Sequence, residues 1–128
     1  MTWTVAVNPL GPFLAVVYTG TVTPEELKQS AAETLDLARS HNIVRVLADT
    51  RGLQGGHSLA DLYFLSDWLV QKQAFRLREA VLMPVSAAVQ DNARLWETAC
   101  FNRGLNVKVF NDRDAALTWL LEKETASV

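Results

Sequence analysis

Cysteine is almost missing from this chain. Cys100 stands alone, so no intrachain disulfide can form and no cysteine-rich metal site can be built. A single thiol fits a reducing compartment. Histidine is scarce as well: His41 and His57 have no clustered partners and no metal-ligand spacing. No metal and no cofactor is expected on these grounds. Basic runs are missing too. Twelve Lys and Arg stand against fourteen Asp and Glu, for a net charge of -2, which excludes general attraction to nucleic acid or to anionic membranes. No apolar stretch approaches the roughly 18 residues that would span a bilayer. Met1-Thr2-Trp3-Thr4-Val5 has neither the basic region nor the apolar run of a signal peptide, so the expected location is cytoplasmic.

What is there is core-forming material. The chain has 128 residues, 49% of them hydrophobic and 20% charged. That length suits one domain, burying about two thirds of its unfolded surface. The expected limits are residues 1–123, with 124–128 as a frayed tail.

Read in order, Trp3 to Val7 alternates in the manner of a strand, and Asn8-Pro9-Leu10-Gly11-Pro12 is turn chemistry. Phe13 to Tyr18 is a second apolar β run, which predicts an antiparallel hairpin. Thr23-Pro24-Glu25-Glu26 opens a helix, with Thr23 as cap, Pro24 at the first helical position and Glu26 completing a capping box. Leu27, Ala31, Leu35 and Ala38 give it an apolar stripe. Ile43 to Ala48 is a β-branched run suited to burial on both faces, as in a parallel sheet.

A loop from Asp49 to His57 is expected next, with three glycines in five residues (Gly52, Gly55, Gly56). It reads as a mobile segment that could act as a gate. Ser58 caps a second helix, Ser58 to Lys72. Leu59, Leu62, Tyr63, Ser66, Leu69 and Val70 form one broad face for packing on the sheet, which leaves Phe64 and Trp68 on the opposite side with Leu65 nearby. Arg78 to Met83 is a strand stopped by Pro84. Val89, Ala93, Trp96 and Cys100 mark the buried stripe of a third helix, closed by Arg103-Gly104. Leu105 to Phe110 is the last strand, and Asn111 caps a last helix held by Ala116, Leu117, Leu120 and Leu121. The order β-β-α-β-α-β-α-β-α implies an α/β fold with a mostly parallel five-stranded sheet and an antiparallel first edge strand.

This order resembles the SpoIIAA-like (STAS/SEC14-like) family, small bacterial domains related in fold to anti-sigma-factor antagonists and to CRAL-TRIO lipid-binding domains. Four segments carry the resemblance: Tyr18-Thr19-Gly20-Thr21-Val22-Thr23-Pro24-Glu25-Glu26; Val46-Leu47-Ala48-Asp49-Thr50-Arg51; Ala80-Val81-Leu82; and Val107-Lys108-Val109-Phe110 with Ala115-Ala116-Leu117-Thr118-Trp119-Leu120. Anti-sigma antagonists carry a phosphorylated serine in an Asp-Ser-Ser-Gly-like segment at the start of the second helix. Counted from the strand-end Asp49, Ser58 takes that position here, within His57-Ser58-Leu59-Ala60. The flanking aspartate and glycine of that segment are missing. Ser58 is thus both a helix cap and, by resemblance, a phosphosite.

The remaining candidates follow from position. In open α/β sheets ligands and partners meet the carboxyl ends of strands, which makes Asp49, Arg51, Gly55, Gly56 and His57 a partner or ligand face. The glycine loop lacks the lysine and spacing of a phosphate-binding loop. Asp49, His57 and Ser58 lack a nucleophile-elbow pattern, so no catalytic residue is assigned and the domain reads as non-enzymatic. Phe64, Leu65 and Trp68 predict an apolar interface. The leading expectation is a regulatory, protein-interaction module that forms a homodimer through this helix. The alternative is a small apolar or lipid-like ligand held under it.

Overall fold

A computed structural model describes residues 2–9 and 11–122, and the tail assigned to 124–128 lies outside them. The strands are β1 (Trp3–Val7), β2 (Leu14–Thr21), β3 (Arg45–Gly55), β4 (Arg78–Leu82) and β5 (Asn106–Phe110); the helices are α1 (Pro24–His41), α2 (Leu59–Gln71), α3 (Ala87–Asn102) and α4 (Arg113–Leu120). The sheet runs β1-β2-β3-β4-β5 in space. β1 pairs antiparallel with β2, and every other pair is parallel. The fold is the α/β arrangement expected from the sequence.

Three consecutive crossovers step across the sheet in one direction, β2-α1-β3, β3-α2-β4 and β4-α3-β5. Crossovers of one hand that step the same way place their helices on the same face. The packing agrees. Leu14, Val16 and Val46 meet Ala38 of α1; Val22 and Leu53 meet Leu27 and Leu62; Leu35, Cys100 and Leu105 form a third group on that side. α4 turns back under the sheet, where Ala116 and Leu120 pack on Phe13, Leu47, Ala80 and Leu82.

The caps explain most of the boundaries. Thr23 accepts from the Glu26 amide at 3.2 Å while Glu26 accepts from the Thr23 amide at 3.1 Å, so the capping box forms. Asn42 ends α1 in the left-handed conformation, and Gly104 turns the chain after α3 at φ 78°. α4 begins one residue later than expected, because Asp112 rather than Asn111 accepts from the Ala115 amide at 3.0 Å.

Two expectations need correction. The loop from Asp49 to His57 is mostly strand: β3 continues to Gly55, pairing Gly52 with Thr19 and Gly55 with Thr21 across a register shift. Its glycines serve close approach instead of mobility. A Cβ on Gly52 would sit 3.2 Å from the Tyr18 carbonyl oxygen, and one on Gly56 would sit 2.5 Å from the Val22 carbonyl oxygen. The α2 face is also rotated. Leu62, Leu65, Ser66 and Leu69 face the protein, whereas Leu59 and Tyr63 are exposed.

Candidate functional site

Between the sheet and the α1–α3 layer lies a cavity of about 130 Å³ with mostly apolar walls. It is reached from every layer: Val16 and Tyr18 on β2, Ala48 on β3, Glu79 and Val81 on β4, Leu27 on α1, Leu62 and Leu65 on α2, Ala93 and Trp96 on α3. Strand alternation places these sheet residues on one face. Glu79 shares its side of β4 with Val81, while Ala80 and Leu82 point to α4.

Glu79 is the unusual wall residue. Its carboxylate Oε1 accepts the indole N–H of Trp96 at 2.9 Å. It is half-buried and lines the cavity. Burial pushes its carboxyl well above the usual range, and the Trp96 hydrogen bond opposes that only in part. Across the cavity, Tyr18 donates its hydroxyl proton to Ser30 Oγ at 2.8 Å, and Ser30 donates onward to the Leu27 carbonyl at 2.8 Å. Burial raises the Tyr18 phenol strongly, with a smaller contribution from the Glu79 charge. Cys100 is fully buried, and burial pushes its thiol up in the same sense, which suits a core residue rather than a nucleophile.

The expected partner or ligand face is divided by the sheet. Asp49 and Arg51 lie on the α4 side, where Arg51 donates to both Asp49 oxygens at 3.0 and 2.8 Å and its amide donates to Oδ1 at 3.1 Å. These hydrogen bonds hold the Asp49 carboxyl below its usual range, and Arg113 at the start of α4 adds to the effect. His57 lies on the other side and lines the cavity, its Nδ1–H donating to the Val22 carbonyl at 2.9 Å. The Val22 amide in turn donates to the Gly55 carbonyl at 2.8 Å. Gly55 and Gly56 (φ 130° and 107°) are therefore stitched to the β2–α1 junction. The five residues do not form one site.

Ser58 caps α2 in a full box. Its Oγ accepts from the Asp61 amide at 3.2 Å, and its own amide and hydroxyl donate to Asp61 Oδ2 at 2.7 and 2.9 Å. Hydrogen bonds from the Ser58 backbone and hydroxyl hold the Asp61 carboxyl low. A phosphate on Ser58 would meet that carboxylate, and like charge opposes it.

The three expected interface residues also separate. Phe64 is 70% exposed. Leu65 instead lines the cavity, because it shares the inward stripe with Leu62 and Leu69. Trp68 is half-buried against the group around Leu35 and Cys100, with Lys28 and Lys72 over its ring at 5.9 and 5.6 Å.

Glu79 was legible by alternation, as a lone acid two residues before Val81 in a strand flanked on both sides. Its significance depends on Trp96, 17 residues away, and on a gap between layers that periodicity does not show. Among the described residues no cluster of His, Cys, Asp and Glu could hold a metal ion, and no helix is long and apolar enough to cross a membrane.

A family model described as SpoIIAA-like matches residues 13–121. Among solved structures, the chain is similar to an uncharacterized protein of the DUF3478 family with a SpoIIAA-like fold from Shewanella loihica PV-4. The two are 20% identical with a TM-score of 0.60, over 92% of this chain and 93% of that one. At that identity the likeness concerns the fold alone. No curated protein gives a significant match.

Proposed function

The chain belongs to the SpoIIAA-like family, and from that premise we propose that it is a binding domain, not an enzyme, whose ligand is a small, mainly apolar molecule held between the sheet and α2. The observation that carries this reading is a partly open cavity of about 130 Å³ between the sheet and the helix layer with a carboxyl group on its wall. Well-packed interiors leave few voids larger than a water molecule. Apolar cavities of about 150 Å³ accept benzene, so this one suits a compact ring or short chain. An acid in such a wall costs stability unless hydrogen bonds satisfy it, and Trp96 satisfies one of the two Glu79 oxygens. A shared fold does not itself specify a function, so the reading rests on the cavity.

Native mass spectrometry of the freshly purified protein tests it. The expected spectrum shows an additional mass of a small organic molecule, or acquires one on incubation with benzene. A protein that stays at its own mass under both conditions counts against the reading.

A second reading, a homodimer through α2, is favoured by one observation. Phe64 is 70% exposed beside the exposed Leu59 and Tyr63, an apolar face of the kind that marks interfaces.

A further inference from the structure

The donors on the cavity wall are almost all committed to the protein. Tyr18 donates to Ser30, Thr34 to the Ser30 carbonyl at 2.7 Å, Thr50 to the Leu82 carbonyl, His57 to the Val22 carbonyl and Trp96 to Glu79. Asn106 is exposed and Asn92 half-buried. Glu79 Oε1 is engaged by Trp96; among the described residues Oε2 has no hydrogen-bonding partner and is not fully buried, and Glu79 lines the cavity. Glu79 thus presents an unspent carboxyl oxygen to a mostly apolar space.

We propose that the cavity recognises a neutral molecule through a carbonyl oxygen, which accepts a hydrogen bond from the protonated Glu79 carboxyl while the apolar remainder lies against Leu62, Leu65 and Val81. This rests on the binding reading above and names the ligand class for the same cavity. Three arguments select a neutral acceptor. Burial shifts Glu79 toward its neutral form, and because Oε1 accepts from Trp96 the proton of that form sits on Oε2, which can then donate. Neither lysine nor arginine lines the cavity to hold an anionic ligand. An ammonium ligand would require an ionised Glu79 with one fixed hydrogen bond, and burying such a pair costs several kcal/mol per ion.

Tyr18 on β2 and Cys100 on α3 face Glu79 and are both pushed toward their neutral forms. His57 directs Nδ1–H to the Val22 carbonyl, away from Glu79. The α1, α2 and β5 residues on the wall include no titratable group. Arg103, at the end of α3, is engaged by Asp67 at 2.7 Å.

The full chain, labelled with nitrogen-15, tests this through the Trp96 indole N–H resonance, which reports directly on Glu79. Three probes are titrated at mildly acidic and at alkaline pH: benzene, cyclohexanone and cyclohexylamine. The expected result is that cyclohexanone binds at acidic pH and weakens about tenfold for each pH unit above the Glu79 ionisation. Benzene binding stays indifferent to pH. In Glu79→Gln, whose amide still accepts from Trp96 and still offers a donor, cyclohexanone binding is retained and loses its pH dependence. Retained benzene binding shows that this variant keeps the cavity. Benzene binding with a pH-independent cyclohexanone affinity in the wild type overturns the role of Glu79 and leaves the cavity reading standing. Cyclohexylamine binding that strengthens with pH and disappears in Glu79→Gln overturns the neutral class. Failure of all three probes overturns both readings.

Discussion

Two residues show how differently one-residue information translates into structure. Gly56 lies at φ 107°, and any Cβ there would collide with the Val22 carbonyl oxygen. Backbone strain of this kind costs about 1–3 kcal/mol before the collision is counted. Gly56→Ala is therefore expected to lower stability by about 3 kcal/mol, read as a reduced urea midpoint with an unchanged slope. Glu79 acts through ionisation. Its folded carboxyl loses its proton at higher pH than the unfolded one. As pH rises from about 4, the unfolded chain releases that proton first, so stability falls until the folded carboxyl ionises as well. Glu79→Gln lacks this penalty. Its stability relative to the wild type is expected to increase as pH rises from about 4 and to level off once the folded Glu79 ionises, as followed by denaturant unfolding at several pH values. Ser58 and Thr23 were legible because caps depend on neighbours three residues away. Glu79 was legible only as an acid on an inward strand position, since its partner comes from another element.

At the scale of elements, periodicity identified every strand and α-helix and located their starts within a few residues. It failed where pairing overrides composition. The glycines after Asp49 suggest a loop, but β2 extends to Thr21 and offers a partner, so β3 continues to Gly55. The orientation of α2 was missed for a related reason. A helix rich in Leu, Phe, Tyr and Trp offers more than one apolar face, and contact with α3 chooses among them: Arg103 pairs with Asp67 and lies over the Tyr63 ring at 5.4 Å. The helix layer also sets the cavity. Ala93 of α3 is buried on its wall, and a longer apolar side chain there would fill empty space. Ala93→Leu is expected to raise the melting temperature by a few degrees, from about 1 kcal/mol of added burial, when measured by calorimetry without ligand. A lowered melting temperature would mean that the wall cannot give way.

The whole molecule is a sheet with unequal covers: three helices on one face and α4, eight residues long, on the other. The edges differ as well. β1 closes one side as an antiparallel strand, and β5 forms the other, where Glu97 accepts the Val109 amide at 2.6 Å and so engages part of the open edge. If α2 is a dimer face, Phe64→Glu should shift the mass in solution from twice the monomer value to the monomer value, as read by light scattering. A wild type that is monomeric at all concentrations rejects the dimer and leaves the cavity reading untouched. That cavity, with Glu79 on its wall, is the central claim, and thermal unfolding with and without benzene tests it most directly. At ten times its dissociation constant, benzene should raise the wild-type melting temperature by at least about 3 °C and leave Ala93→Leu unmoved. An unchanged wild-type melting temperature, or an equal rise in both proteins, would contradict it.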